Sequence, residues 1–94
     1  MSTLAAGPTS LTGTGGSGQI SLSWSAGAGD ANDAVYRGTS SGGESTTAIV
    51  TGLTSPSYTN TGLTNGTTYF YYVKAYVGSA FTAASNEASA FPLG

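Results

Sequence analysis

The chain has 94 residues, no cysteine, no histidine, and two basic and four acidic residues for a net charge of −2. That length fits one domain. The missing residues exclude disulfides and zinc–thiolate sites and remove the commonest general base near neutral pH, and so weak a charge leaves no electrostatic footprint for nucleic acid or an anionic membrane.

Residues 1–6 read as an N-terminal extension, 7–92 as the domain and 93–94 as a tail. The first residues, Met1-Ser-Thr-Leu-Ala-Ala-Gly7, lack the basic and apolar regions of a signal peptide. No apolar run approaches the ~18 residues of a membrane-spanning helix. A helical period is also missing, and glycine punctuates the chain every few residues, which points to an all-β domain. Pro8 to Gly13 reads as an edge strand with Leu11 turned inward, a place where proline is tolerated. Thr14 to Gly18 is a turn. Gln19 to Trp24 alternates cleanly, with Ile20, Leu22 and Trp24 on one face and Ser21 and Ser23 on the other.

Ser25 to Asn32 is a small-residue loop. Asp33 to Gly38 is the third strand, with Val35 inward and Tyr36 outward, and a Ser/Gly turn follows over 39–43. Ser45 to Thr51 reads as the fourth strand and Ser57 to Asn60 as a short fifth. Thr67 to Val77 is the sixth and longest, and the last strand falls within 79–91, starting near Asn86. By parity, Tyr69, Tyr71, Val73 and Ala75 share the inner face of the sixth strand. Phe70, Tyr72, Lys74 and Tyr76 share the outer face. The expected core is Leu11, Ile20, Leu22, Trp24, Val35, Tyr58, Leu63, Tyr69, Tyr71 and Val73.

Leu63 precedes Tyr69 by six residues, with Asn65-Gly66 between them. This resembles the tyrosine corner of a Greek-key β-sandwich, in which the hydroxyl hydrogen-bonds back to the chain entering its strand. With Ile20-Ser-Leu-Ser-Trp24, Val35-Tyr-Arg37, Tyr71-x-Val73-x-Ala75 and Ser85-Asn-Glu-Ala-Ser-Ala90, the sequence resembles the fibronectin type III family over about residues 7 to 92. The resemblance implies a seven-stranded, immunoglobulin-like sandwich with Trp24 on the second strand and Trp24, Leu63 and Tyr69 as structural markers. Asp33 departs from the pattern, since an aromatic often opens the third strand there. The phrasing is similar to modules of secreted bacterial polysaccharide-degrading enzymes and of tailed-phage virion proteins.

Catalysis is not expected, because no nucleophile–base pair can form without His or Cys and the four acids are scattered along the chain. Asp30, Asn32 and Asp33 offer three oxygens to calcium but match no complete loop motif, and turn-forming explains them better. No cofactor or metal is expected. Asn65-Gly-Thr67 fits the glycosylation pattern, yet Asn-Gly is a turn signal where a turn is needed. Arg37 and Glu44 flank a short turn and are placed to pair across it. The functional lead is the outer face, expected to display Tyr36, Phe70, Tyr72 and Tyr76 to a partner, because aromatics suit interfaces.

The partner expected is a protein surface, either a capsid or tail protein or a neighbouring domain of a larger enzyme; a polysaccharide is a further candidate. Nucleic acid and membrane insertion are not expected. A virion surface protein that decorates or cements a capsid or tail is the first expectation. It draws on the charge depletion, on a start at Met1 close to the first strand, and on an end at Gly94 just past the last. An extracellular spacer or weak carbohydrate-contacting accessory module is the alternative, and a designed consensus binding scaffold is the third.

Overall fold

Alternation in Gln19–Ser25 sends every second side chain into the interior, and the computed structural model shows what they meet. It describes residues 8–25, 32–44, 47–77, 80–81 and 84–93. The strands are β1 (Thr9–Gly16), β2 (Gln19–Ser25), β3 (Asn32–Gly38), β4 (Val50–Leu53), β5 (Ser57–Asn60), β6 (Tyr69–Val77), β7 (Ala80–Phe81) and β8 (Ala88–Ala90). They form two antiparallel sheets. One has the order β1-β2-β5; the other runs β4-β3-β6-β7, with β8 also paired to β6. The result is the expected all-β, immunoglobulin-like sandwich.

Three elements differ most from the sequence reading, besides a sixth strand that starts at Tyr69 rather than Thr67. The fourth strand begins at Val50 and ends at Leu53, later than expected. Ala48, Ile49 and Val50 are consecutive and offer no period-2 cue, so pairing with β3 sets the boundary. The first strand runs on to Gly16 instead of turning at Thr14. Its register shifts between Thr9 and Thr12, and Ser10 there has φ 58°, the left-handed conformation that a bulge accommodates. The seventh strand is split: β7 pairs with the end of β6 and β8 with its beginning. Between them Ser85 exchanges bonds with Val73, its amide donating to Val73 O (2.8 Å) and its hydroxyl accepting from Val73 N–H (2.9 Å).

The core joins Leu11, Ile20, Leu22, Trp24, Val35, Tyr69, Tyr71 and Val73. Tyr58 and Leu63, expected inside, are half-buried and pack against it, as do Ile49, Val50, Leu53, Ala88 and Ala90. Three side-chain hydrogen bonds among the described residues cross this interior. The Trp24 indole N–H donates to Asp33 Oδ2 at 3.0 Å. That explains the departure at Asp33, since a carboxylate answers the buried indole. Tyr71 Oη donates to Asn60 Oδ1 at 2.8 Å, and Arg37 Nη1 donates to the same oxygen at 3.1 Å. Burial pushes the Tyr71 hydroxyl up to about 12.

The tyrosine corner is formed, with the Thr64 N–H donating to Tyr69 Oη at 3.1 Å. That bond holds the Tyr69 hydroxyl below its ordinary value. Asn65 Oδ1 accepts from Gly18 N–H at 2.8 Å, so its amide ties the corner to the β1–β2 turn, and Gly66 takes the positive φ of 82° that the turn requires. The C-terminal segment joins them: Gly66 N–H donates to Pro92 O, and Leu93 N–H to Gly16 O. Tyr69→Phe should therefore lower the melting temperature by a few degrees without unfolding the domain, because only one bond of this cluster is lost. An unchanged melting curve would mean that the corner contributes nothing.

Candidate contact surface

Antiparallel register decides which side chains meet on the outside of the larger sheet. In the β3–β6 ladder Tyr36 lies opposite Tyr72, Ala34 opposite Lys74 and Asn32 opposite Tyr76. The Tyr36 and Tyr72 rings stack, with centroids 4.9 Å apart and planes 19° from parallel. Lys74 Nζ lies 5.3 Å from the Tyr36 centroid and 5.6 Å from that of Tyr72. Cation–π attraction fixes the ammonium there, and the small Ala34 side chain leaves room for the lysine stem beside it.

Tyr36 is on the outer face, as expected, but it is not displayed: only 5% of it is exposed. Tyr72 and Lys74 crowd it, so it supports the surface more than it presents one. Phe70, Tyr72 and Tyr76 are half-buried on the same face. The expectation of an open four-aromatic display is thus corrected to a supported patch.

The β3–β4 loop contributes to this crowding. It folds back onto Gly38, where a Cβ would come within 2.7 Å of Glu44 Cα. Only glycine lets the loop approach so closely. The loop then fastens to the segment before β8: Ser41 Oγ donates to Glu87 Oε1 at 2.8 Å and Gly42 N–H to Glu87 Oε2 at 2.7 Å. Glu44 does not pair with Arg37 as the sequence suggested. Arg37 points inward to Asn60 and lies 5.4 Å over the Tyr69 ring, because residues of odd parity on β3 face the core. Glu44 is brought against Glu87 instead, with its Oε2 buried and unpartnered, so two of the acids read as scattered face each other.

Burial raises the Glu44 carboxyl above its ordinary value, and the facing Glu87 carboxyl adds to this. Glu87 is lowered by the Glu44 carboxyl beside it and by the bonds from Gly42 and Ser41. A raised acid stabilises the fold below its unfolded value and loses that contribution as pH rises through its folded value. A lowered acid does the reverse, losing its contribution as pH falls. The fastening should be firmest in the acidic window between the two, and should loosen as pH rises through the Glu44 value. Hydrogen exchange at the Gly42 amide, corrected for the intrinsic rate, measures it. Protection should fall toward neutral pH in the native chain and stay flat in Glu44→Gln; a flat profile in both would exclude a coupling between the two carboxyls and the fastening.

At the far end of the face, Tyr76, Asn32, Thr51 and Gly52 line a groove of ≈ 350 Å³. Sequence reading placed Tyr76 on this face but not the other three, of which it weighed Asn32 only as a calcium ligand. Extending the β3 parity one residue upstream would have placed Asn32 on this face, whereas Thr51 and Gly52 depend on the β4 register. Asp33, read as a turn former in preference to a calcium ligand, sits instead within β3, 3% exposed and bonded to Trp24. Asp30 lies outside the described residues. Among the described residues no three acidic side chains come together, and no helix is long and apolar enough to cross a membrane. A second groove, of ≈ 540 Å³, runs between β1 and the C-terminal segment, beside the exposed Phe91 and Leu93.

No protein-family model and no curated protein matches the chain. Among solved structures it is similar to a pectate lyase, Pel3 from Pectobacterium carotovorum, at 26% identity and a TM-score of 0.74, covering 93% of this chain and 27% of that one. It also superimposes on part of a beta-1,2-glucanase from Parabacteroides distasonis, with a TM-score of 0.84 at 16% identity, covering 98% of this chain and 13% of the enzyme. At that low identity the likeness is one of fold alone. An Fn3-like protein from Clostridium thermocellum shares 36% identity with a TM-score of 0.82, over 93% of this chain and 92% of that one. Identity at that level along nearly the whole of both chains, together with the tyrosine corner and the two-sheet topology, shows that this chain belongs to the fibronectin type III-like family.

Proposed function

We propose that the chain is a non-catalytic accessory module of an extracellular polysaccharide-acting protein, making contact through the outer face of β4, β3 and β6. The observation that carries this is the supported aromatic patch: a stacked Tyr36–Tyr72 pair under Lys74, flanked by Phe70 and Tyr76. Rigid aromatics held in place by neighbours lose little freedom when a partner arrives, which favours binding. The likeness to parts of a pectate lyase and a glucanase supports the polysaccharide setting. The partner we favour is the surface of a neighbouring domain. The virion decoration anticipated from the sequence gains nothing from these neighbours.

The reading frame tests this. It should be continuous with a polysaccharide-acting catalytic domain. In that full-length protein, deleting this module should leave turnover of a soluble oligosaccharide unchanged and lower the attack on insoluble substrate. A free-standing frame of this length among capsid or tail genes would overturn the proposal in favour of the virion reading.

A further inference from the structure

We propose that the Tyr76 end of the outer face is a subsite for one neutral sugar ring of a polysaccharide. The inference rests on the accessory-module reading and names a ligand for the Tyr76 end of that face, beyond the Tyr36–Tyr72 stack that the neighbouring domain covers. The groove is built across three strands. Tyr76 on β6 faces Asn32 across the ladder, and Thr51 and Gly52 come from β4 on the far side of β3. Gly52 has φ 72°, and a Cβ there would meet nothing within 4 Å, so the glycine answers a backbone requirement and leaves that wall low and open.

The lining chemistry selects the ligand. The aromatic ring offers a flat apolar surface. The Asn32 amide has donors and an acceptor, and the Thr51 hydroxyl can act as either. Among the described residues lining the groove, none carries a charge. Lys74, two residues before Tyr76, is held over Tyr36 and Tyr72 at 5.3 and 5.6 Å, drawn toward the other end of the face. An anionic sugar would therefore find no cation here. A purely apolar ligand would strip water from the amide and hydroxyl without replacing its hydrogen bonds, an uncompensated cost. A neutral pyranose meets both demands, with C–H groups on its face and hydroxyls around its rim. The volume of ≈ 350 Å³ is near the lower end of ligand-site sizes. That limits the subsite to about one ring and the affinity to roughly the millimolar range.

The experiment is an NMR titration of the chain with neutral hexasaccharides of glucan, xylan and mannan, with oligogalacturonate as the charged comparator. At least one neutral sugar should produce saturable shifts at the Asn32, Thr51, Gly52 and Tyr76 amides, and oligogalacturonate should produce none. Tyr76→Ala should weaken binding by about tenfold or more. Tyr76→Phe should retain the stacking and most of the affinity, and Thr51→Val should weaken binding with the thermal transition unchanged. The subsite is refuted if no neutral sugar moves these four amides, if the charged sugar binds equally well, or if Tyr76→Ala binds as the native chain does while remaining folded. Those results would leave the accessory-module reading intact when the reading frame supports it, so the two can fail separately.

Discussion

Replacing Tyr71 with alanine is expected to bring the domain to the edge of unfolding, while replacing it with phenylalanine leaves it folded. Tyr71 has no exposed surface and sits among Ile20, Leu22, Val35 and Val73 in the core. Truncating a buried aromatic to alanine costs about 3–5 kcal/mol, through lost burial and the cavity left behind. Domains of this size have about 5–15 kcal/mol in total. No disulfide limits the unfolded chain, because cysteine is absent. The hydroxyl is a smaller matter. Without it Asn60 Oδ1 still accepts from Arg37 Nη1, so Tyr71→Phe should cost about 1 kcal/mol. Denaturant titration of both variants gives the two values. Near-equal losses would mean that the Asn60 bond, rather than packing, holds this residue.

Gly15→Ala is the second large effect. A Cβ at this position would collide with the Phe91 carbonyl oxygen and lie 2.9 Å from Phe91 C. Both are backbone atoms and cannot swing aside as a side chain can. The C-terminal segment would have to leave β1, and the Leu93-to-Gly16 and Gly66-to-Pro92 bonds would be strained with it. Overpacking of this kind costs at least ~1–3 kcal/mol. Gly13→Ala, two residues away, would meet Ala90 Cβ and Leu22 Cδ2 at 3.3 Å. At 3.3 Å a shift of a few tenths of an ångström relieves the contact, and the Leu22 methyl can turn aside even though Ala90 Cβ moves only with its backbone, so its effect should be clearly the smaller. Thermal unfolding of the pair gives the ordering, and hydrogen exchange at Leu93 shows whether the segment has detached. Equal melting temperatures would mean that the segment yields freely and contributes little to the fold.

The fold was legible because its signals are local. Period-2 alternation in Gln19–Ser25 and in Tyr69–Val77 assigned inner and outer faces without any partner strand. The Leu63–Tyr69 spacing identified the corner, and the structure supplies its bond from Thr64. Where alternation was missing, at 48–50 and around the split last strand, the boundaries moved, because there pairing with a neighbour sets the register.

The candidate site was legible only by half. Parity placed Tyr36, Phe70, Tyr72 and Tyr76 on one face, and the register confirms that placement. Exposure does not follow from parity. Tyr36 is covered because Tyr72 stacks on it and Lys74 lies above it, and both depend on the β3–β6 register. Arg37 and Glu44 looked like partners from their separation along the chain. Arg37 shares the inner parity of Val35, and the β3–β4 loop carries Glu44 away to Glu87.

By itself, then, the sequence determined the fold class, the corner, most of the core, and the face on which the aromatics stand. Each of these follows from alternation or spacing within one strand or turn. Only the tertiary structure decided that Tyr36 is covered, that Asp33 serves the buried Trp24 indole, that Glu44 meets Glu87, and that Asn32, Thr51 and Gly52 join Tyr76 in one groove. These are contacts between segments remote in the chain, and their geometry is fixed by strand register and loop path.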